Sequence, residues 1–502
     1  TLIPLLGQGE EPESLQHLRT LPARDAVFAP WPAWLEPSVR EAYAARGVSQ
    51  PYSHQVEAAE AAHTGAHTIV ATGTASGKSL AYLMPALDAV VRGGVTPEGA
   101  RTAGRGEATV LYLSPTKALG ADQLSSLLGL KIDGVRAAAY DGDTPRTERR
   151  WVREHANVVL TNPDMLHFGV LPNHVQWAGF LRRLKYVIVD EAHSYRGVFG
   201  SHVAVLLRRL NRVAASYGAS PVFLGASATS ADPQESFGLL VGAPAVAVTR
   251  DGSGRGTTTV ALWEPPLTDQ RGENGAFLRR SAIAETSDML ANLVCAHVRT
   301  LAFIRSRRGA EAISTTAQRL VGEIDASLPH RIAAYRSGYL PQERRELESG
   351  LRSGELLGVA STSALELGID IDGLDAVLVA GWPGTRASFY QQIGRAGRSG
   401  QDSIAAFVAS DDPLDTYLVH HPEAVFDAGV EATVFDPSNP YVLGPHLCAA
   451  ASELPLKPGE PAKLPDTLAP PFRLSVADAR LDKLTLLPTA AATDNASTGT
   501  VI

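Results

Sequence analysis

Cysteine is scarce in this sequence, which excludes a fold held together by disulfides. Only two cysteines, Cys295 and Cys448, occur in 502 residues. They lie far apart and form neither a short disulfide loop nor a CxxC zinc pair. Long apolar runs are missing too: no stretch approaches the ~20 uninterrupted apolar residues of a membrane span, and the first residues do not resemble a secretory signal. We therefore expect a cytoplasmic protein with no membrane partner.

Positive charge is not in excess either. Lysine and arginine number 45 against 53 acidic residues, so the formal net charge is −8. Without a global basic field, any contact with nucleic acid has to come from a local basic surface. The content of 44% hydrophobic and 20% charged residues is typical of a globular protein. At about 150 residues per domain, the length indicates two to four domains.

Short β-rich apolar runs alternate with longer amphipathic stretches, a pattern typical of buried parallel strands connected by helices. The runs lie at 67–71, 109–113, 157–161, 186–189 and 222–225, and then at 300–304, 331–335, 356–361, 375–380 and 404–409. The polar, Gly-rich stretch 92–107 predicts a surface loop, and a second such stretch predicts an interdomain linker. The fold class is therefore α/β, with two tandem domains, each a parallel sheet flanked by helices. The predicted parts are an irregular Pro-rich leader (1–48), a first domain (49–248), a linker (249–280), a second domain (281–425) and the start of a C-terminal accessory region (426–502).

The first candidate site is the segment TGTASGKS, which joins the run at 67–71 to a predicted helix. Such a turn directs backbone N–H groups at a phosphate chain, with Lys78 as a cation and the Ser79 hydroxyl as a ligand for Mg²⁺. The first glycine of the usual GxxxxGK[ST] pattern is Thr72 here. A turn that only packs is the alternative interpretation. The predicted ATP-binding residues of this segment are Thr72, Gly73, Thr74, Ala75, Ser76, Gly77, Lys78 and Ser79.

Two acidic residues follow the apolar run at 186–189 and form the second candidate site. At the carboxyl end of a buried strand, Asp190 is placed to hold Mg²⁺, and Glu191 to orient or deprotonate an attacking water. The alternative interpretation is a solvated turn. Because the acidic pair follows a predicted phosphate-binding loop in the sequence, the catalytic interpretation is favoured over that alternative.

A third candidate site lies in the second half of the chain, in the segment SFYQQIGRAGRSG. Arg395 and Arg398 are three positions apart and share a helical face. A guanidinium group there can neutralise charge on a phosphoryl group held by the other domain, which makes ATP hydrolysis depend on domain closure. A surface arginine pair is the alternative.

Together these segments, in this order, resemble the superfamily 2 helicases, whose two RecA-like domains hold ATP between them. The resemblance covers residues 52 to 398. It implies adenine recognition by Tyr52 and Gln55, coupling of hydrolysis to movement by His193, Ser227, Thr229 and Gln391, and nucleotide contacts by Gly368 and Asp370. The nucleic-acid contacts that it implies are Pro115, Thr116, Lys117, Asp141, Gly142, Thr144, Thr161, Asn162, Arg305, Arg336, Ser361 and Thr362.

A narrower resemblance is carried by TGTASGKS, DEAHSYRGVFGSHVAVLLRRL, YRSGYLPQERRELE and NPYVLGPHLCAA. These segments are similar to the mitomycin-repair helicases of the MrfA and SftH type and their fungal relatives. The resemblance implies an ATP- and Mg²⁺-dependent DNA helicase that moves 3′ to 5′ on single-stranded or tailed duplex DNA in DNA repair, and we expect a monomer.

One departure from that family concerns its C-terminal zinc-binding domain, which has four cysteines. Only Cys448 lies beyond the predicted motor here, so we expect a truncated or naturally short version. Two other functions stay open: an RNA-remodelling ATPase with the same motor, and a nucleotide-gated nucleic-acid-binding protein without turnover.

Overall fold

The computed structural model of the chain describes most of its length. The described residues are 2–7, 13–93, 107–271, 275, 277–336, 338–339, 341–366, 374–397 and 401–456, with the backbone of three short strands farther on. The predicted loop at 92–107 lies outside these ranges except at its ends.

The helices, in chain order, are α1 (Pro37–Ala44), α2 (Ser53–His63), α3 (Lys78–Arg92), α4 (Lys117–Leu128), α5 (Arg146–His155), α6 (Pro163–Met165), α7 (Ala178–Leu181), α8 (Gly197–Ser216), α9 (Pro233–Val241), α10 (Ala282–Cys295), α11 (Arg307–Ile324), α12 (Pro341–Ser353), α13 (Arg386–Ile393), α14 (Pro413–His420), α15 (Pro422–Phe426) and α16 (Pro440–Glu453). Several of them begin with proline at the first position, where its missing N–H costs no helical hydrogen bond. Among the described helices, none is long and apolar enough to cross a membrane.

The strands, in chain order, are β1 (Leu15–Leu21), β2 (His67–Ala71), β3 (Thr109–Leu113), β4 (Ala137–Ala139), β5 (Val158–Thr161), β6 (Leu184–Val189), β7 (Val222–Ser227), β8 (Ala245–Val248), β9 (Thr258–Trp263), β10 (Leu267–Arg271), β11 (Phe277–Arg279), β12 (Thr300–Ile304), β13 (Ile332–Tyr335), β14 (Gly358–Ser361), β15 (Ala376–Ala380), β16 (Ser403–Val408), β17 (Phe472–Ser475), β18 (Leu484–Pro488) and β19 (Gly499–Val501). Each of the ten runs predicted from the sequence corresponds to a strand.

The first sheet has seven strands in the order β4-β5-β3-β6-β7-β2-β8, and every pairing is parallel. Helices cover both faces, so the inner strands are buried on both sides and are rich in Val, Ile and Leu. Ligands bind at the carboxyl edge of such a sheet. The TGTASGKS segment follows β2 and Asp190 follows β6, so this edge brings the first two candidate sites together.

The second sheet also has seven strands, in the order β1-β9-β16-β15-β12-β14-β13. All its pairings are parallel except that of the edge strand β1, which runs antiparallel to β9. The carboxyl edge of this sheet carries the loops after β12, β13 and β14. The fold is therefore the predicted one, two tandem parallel-sheet α/β domains.

Two segments differ from the sequence prediction. The expected linker, 249–280, contains β9, whose last four residues are fully buried between β1 and β16. The expected irregular leader, 1–48, contains β1 and so adds a strand to the second domain. Strand β9 was not predicted because Gly-rich residues precede it and two prolines follow it, a composition typical of a loop. Tertiary packing stabilises the strand nevertheless.

Candidate nucleotide-binding cleft

The loop between β2 and α3 is folded as a phosphate cradle. Gly77 adopts the left-handed conformation, with φ of 70°, immediately before α3, and Lys78 is the first residue of that helix. The Lys78 ammonium donates to the carbonyl oxygens of Gly73 at 2.7 Å and Thr72 at 3.2 Å. The Thr72 hydroxyl lies 2.7 Å from the Ser76 hydroxyl, and this bond closes the loop. Threonine at position 72, where the usual pattern has glycine, therefore contributes a side-chain hydrogen bond that glycine could not make.

Asp190 and Glu191 form a pair of adjacent carboxyl groups beside this loop, Asp190 buried and Glu191 with 16% of its side chain exposed. Asp190 Oδ1 accepts from the Glu191 backbone N–H at 2.9 Å, and its Oδ2 accepts from the Tyr112 hydroxyl. Burial and the adjacent Glu191 carboxylate raise the pKa of Asp190 to about 7. Burial also raises the pKa of Glu191, against the opposing effect of Lys78 and Arg395. Two adjacent acids with so little exposure are costly unless a cation joins them.

The residues predicted to hold Mg²⁺ fit that ion. Mg²⁺ in nucleotide sites is bound through one or two carboxylates plus substrate phosphates, and it prefers oxygen ligands. Asp190 supplies a buried carboxylate, and Ser79 supplies a hydroxyl in the first turn of α3. When bound there with ATP, the ion would neutralise part of the phosphate charge.

Gln55 makes different contacts from those predicted. Its Oε1 accepts from the backbone N–H of Tyr52 at 2.7 Å, and its Nε2 donates to the Gly77 carbonyl at 2.8 Å. Both ends of the amide are therefore engaged by the protein. Each end can still accept or donate a second hydrogen bond, so the adenine contact expected from the sequence stays a prediction. In this arrangement Gln55 fixes the end of the phosphate loop.

The second domain contributes Arg395 to the opposite wall. This residue follows α13 and is 6% exposed. Its Nη2 donates to the Glu366 carbonyl at 2.7 Å, while the Glu366 carboxylate accepts from Ser388 and Gln392 of α13. Arg395 and Glu191 line the same cavity, and the positive charge of Arg395 opposes the effect of burial on the Glu191 pKa.

His193 connects the two walls. Its Nδ1 lies 3.4 Å from Ser227 Oγ and 3.3 Å from the Ala228 nitrogen, both in the first domain. Its Nε2 accepts from Gln391 Nε2 of α13 at 2.9 Å, and its Nδ1 is 3.4 Å from Glu191 Oε2. Burial lowers the pKa of His193 to about 4, so a neutral imidazole joins the acidic wall to α13.

An open cavity of about 870 Å³ lies between these walls. It is lined on one side by residues 74–79 with Asp190 and Glu191, and on the other by Arg395. The cavity thus brings together the three candidate sites of the sequence. Arg398, Gly368 and Asp370 lie outside the described residues.

Comparisons with known proteins place this geometry in a family. Residues 52–237 match the DEAD/DEAH box helicase model, and residues 286–400 match the helicase conserved C-terminal domain. The ATP-dependent helicase YprA of Bacillus subtilis is 39% identical over 92% of this chain and 59% of its own length. The crystal structure of the DUF1998 helicase MrfA bound to DNA superposes with a TM-score of 0.83 at 39% identity, over 91% of this chain and 59% of that one.

The chain belongs to the superfamily 2 helicases of the MrfA type. A third relative, the ATP-dependent helicase HRQ1 of Saccharomyces cerevisiae, is 38% identical over 88% of this chain and 40% of its own length. The chain therefore spans about 40 to 60% of the length of these relatives. A MrfA structure with DNA and AMPPNP also superposes, with a TM-score of 0.82 at 39% identity over 90% of this chain and 61% of that one.

In this chain the predicted nucleic-acid residues fall into two groups. Some lie at the surface of the first domain: Lys117 pairs with Asp143 at 2.9 Å, and a Cβ atom at Gly142 would lie 3.3 Å from the Lys117 ammonium. Arg305 is exposed beyond β12, while Arg336 pairs with Glu311 at 2.7 Å. The exposed or partly exposed members of the predicted set are Pro115, Thr116, Lys117, Asp141, Gly142, Asn162, Arg305 and Arg336.

The other group is buried and shapes the loops. The Thr161 hydroxyl donates to the Tyr140 carbonyl at 2.6 Å, and the Ser361 hydroxyl donates to the Thr362 carbonyl at 2.8 Å. Thr144 Oγ1 accepts from the Asp141 N–H at 2.9 Å. These three hydroxyls form hydrogen bonds within the protein. In this structure they are therefore not directed at a nucleic-acid phosphate, as the resemblance had implied.

Sequence reasoning missed the residues that join the leader to the nucleotide loop. Arg24 pairs with Asp251 at 2.7 Å, and the Gly252 N–H donates to His54 Nδ1 at 3.1 Å. Phe28 stacks on Tyr52 with ring centroids 5.3 Å apart. Nothing local in the sequence signals these contacts, since each joins two of three separate segments: the leader, the linker and the segment before the cradle.

Proposed function

We propose that the chain is the motor of an ATP-dependent DNA helicase that moves 3′ to 5′ on a single strand and acts in DNA repair. The observation that carries this proposal is the composition of the cleft. Lys78, Asp190 and Glu191 come from one domain, Arg395 comes from the other, and His193 bonds to both. A site divided in this way is complete only when the domains are together.

ATP hydrolysis follows from these groups. Lys78 exchanges its two carbonyl contacts for the phosphates of ATP. Glu191 accepts a proton from the attacking water, because a carboxylate with a raised pKa is a better base near neutral pH. Arg395 stabilises the negative charge that develops on the transferring phosphoryl group. Mg²⁺ on Ser79 and Asp190 would complete the neutralisation.

Movement follows if the grip on the nucleic acid differs between the open and closed arrangements. Each domain has surface groups at the carboxyl edge of its sheet. Lys117 follows β3 in the first domain, and Arg305 follows β12 in the second. Neighbouring strands at the same edges lead to residues of the cleft. Because such groups bind phosphate rather than bases, we expect little sequence preference and strong salt dependence. Alternating closure then advances the protein along a strand.

DNA is the proposed substrate because MrfA, with which this chain shares 39% identity, has been crystallised with DNA. We further propose a monomer in the cytoplasm. The rival substrate is RNA, since the backbone-binding residues do not by themselves distinguish the two sugars.

The test measures ATP hydrolysis with single-stranded DNA, with RNA of the same sequence, and without polymer, with Lys78→Ala as the inactive control. We expect stimulation by DNA well above that by RNA. Stimulation by RNA alone would favour an RNA-remodelling ATPase, and no phosphate release with either polymer from a folded sample would favour a non-hydrolysing binding protein. Strand displacement on 3′-tailed and 5′-tailed duplexes then tests polarity, with unwinding expected only from the 3′ tail.

A further inference from the structure

The chain crosses between the two domains three times. The first crossing follows β1, which belongs to the second sheet, and the second precedes β9. The third is made by residues 427–436, here called the return segment, which leaves the second domain after α15 and leads to α16 on the surface of the first domain. The return segment is therefore one of three covalent connections between the domains.

The return segment is attached to the second domain at the start of α13. Glu431 Oε1 accepts from the Arg386 backbone N–H at 2.8 Å, and its Oε2 accepts from that of Ala387 at 3.3 Å. The Thr385 hydroxyl accepts from the next N–H, that of Ser388, at 3.1 Å. Glu431 thus satisfies two free N–H groups of α13 from outside the helix, and its negative charge suits the helix N-terminus.

Three residues later the same segment is attached to the first domain. The Val434 carbonyl accepts from the Gly197 N–H at 2.7 Å, at the start of α8. Phe435 is 8% exposed and belongs to the hydrophobic core of the first domain. The Asp436 N–H donates to Ser201 Oγ at 2.9 Å.

Beyond these contacts, α16 holds the segment in place. Glu453 of α16 forms a fully buried ion pair with Arg209 of α8. Arg212 donates to the carbonyls of Ala450 and Leu454 at 2.9 Å each. Because these contacts fix α16 to α8, the chain that follows the return segment cannot simply move away when the two domains separate.

We propose that the return segment limits the opening of the cleft and that Glu431 is a positioning residue for Arg395. A chain spans at most about 3.5 Å per residue, so the three residues from Glu431 to Val434 extend no farther than roughly 10 Å. While both attachments hold, the start of α13 cannot move far from the start of α8. Because α13 leads directly to Arg395, this restraint keeps the guanidinium close to Glu191 before ATP binds. The catalytic part of this inference rests on the proposed ATPase.

The distance between the domains tests the restraint without any need for turnover. Spin labels are placed on exposed helix positions with Glu154→Cys and Arg319→Cys, after Cys295→Ser and Cys448→Ser. A Gly-Ser-Gly-Ser insertion after Ala432 lengthens the connection between the two attachments by up to about 13 Å. The same insertion after Gly429 is the matched control, because it leaves the spacing from Glu431 to Val434 unchanged.

Without nucleotide, we expect the insertion after Ala432 to broaden the distance distribution and move it to longer distances, and the control insertion to leave it unchanged. An unchanged distribution with both insertions, or the same shift with both, would overturn the proposed restraint. These results do not depend on whether the protein hydrolyses ATP.

The role of Glu431 is tested by kinetics. Glu431→Ala is expected to lower kcat by about tenfold or more with the KM for ATP unchanged, because misplacement of a catalytic group affects the transition state. Glu431→Gln, which keeps an acceptor for the α13 N–H groups, is expected to recover part of that loss. Equal rates for wild type and Glu431→Ala, or a change confined to KM, would contradict a positioning role for Glu431.

Discussion

Two regions of this molecule bury several charged side chains, and they do so in opposite ways. In the nucleotide-binding cleft, Asp190 and Glu191 lie side by side, while Lys78 donates to backbone carbonyls rather than to either acid. At the contact between α8 and α16, here called the α8–α16 junction, Arg209 bonds directly to Glu453 and also lies 2.9 Å from the Nδ1 atoms of both His167 and His446. In the cleft, the negative charge of the two carboxylates is left for a ligand to neutralise. At the α8–α16 junction, the charges of Arg209 and Glu453 neutralise each other.

The difference teaches that burial of charge does not by itself identify a functional site. Unneutralised like charges cost folding free energy, and such costs are found where a ligand or a reaction uses them. A paired and hydrogen-bonded cluster stabilises packing instead, and breaking one partner leaves an uncompensated charge. Substitutions in the two regions should therefore affect different properties.

The largest expected effect is on catalysis in the cleft. Lys78→Ala is expected to abolish ATP binding, whereas Glu191→Gln is expected to retain binding and lower kcat by about 10²- to 10⁴-fold, because the proton acceptor is lost. Isothermal titration with a non-hydrolysable ATP analogue and steady-state hydrolysis measure the two properties. Lys185→Ala and Glu323→Gln, at exposed positions, are the matched controls.

The same variants sharpen the comparison through their stability. Because Glu191→Gln removes one of two adjacent carboxylates, it is expected to raise the melting temperature rather than lower it. A marked loss of stability in Glu191→Gln, or equal loss of ATP binding and turnover in both variants, would contradict the roles assigned to these residues.

At the α8–α16 junction the expected effect is on stability. Glu453→Gln leaves the Arg209 charge buried without its partner, which should lower the free energy of unfolding by about 3 kcal/mol or more. Glu323→Gln breaks the exposed ion pair with Arg319 and should cost less than about 0.5 kcal/mol. Chemical denaturation of the two variants measures the difference. Similar small losses for both would mean that the junction contributes no more than a surface ion pair.

The smallest expected effect is a pH dependence of the junction. Burial, together with Arg209 and the neighbouring His167 and His202, lowers the pKa of His446 to about 3. Arg209 donates to His446 Nδ1, and His446 Nε2 lies 3.0 Å from His202 Nδ1, so a second proton on His446 would face a guanidinium donor. Below about pH 6.5 the unfolded chain binds a proton on His446 that the folded chain does not bind until about pH 3.

The stabilisation from neutral His446 is therefore complete above about pH 6.5 and is lost as the pH falls from there toward 3. It should contribute up to about 1.4 kcal/mol per pH unit to the loss of stability. Denaturation of wild type and His446→Gln from pH 7 to pH 5 measures this contribution. Parallel pH profiles for the two proteins would show that His446 titrates normally.

The ten strands predicted from the sequence are all present, because a parallel sheet covered on both faces requires apolar runs, which are visible locally. The resemblance also assigned His193, Ser227 and Gln391 a shared coupling role. The structure brings these three side chains together, and the coupling itself stays a prediction. The strands β1 and β9 were missed because each depends on the other or on β16, from distant parts of the chain. For the same reason the contacts of Arg24, Asp251 and Glu431 could not be predicted, since their partners lie many residues away in the sequence.

The contacts of Gln55 within the protein were not predicted, and the cause is different. A glutamine amide offers a donor and an acceptor to any suitable group, and residue type does not specify which group is closest. Here the backbone of Tyr52 and the carbonyl of Gly77 take both. The motif therefore located the residue at the phosphate loop but did not predict its bonds within the protein, and its contact with adenine stays a prediction.

The central claim is that hydrolysis needs a charge from each domain, and single-turnover hydrolysis of prebound ATP tests it most directly. With saturating single-stranded DNA, Arg395→Ala is expected to bind ATP as the wild type does and to hydrolyse it about 10³-fold more slowly. Arg395→Lys should recover little, because an ammonium does not reproduce the planar guanidinium. Hydrolysis by Arg395→Ala at the wild-type rate would show that the second domain supplies no catalytic charge through this residue, and would contradict the account.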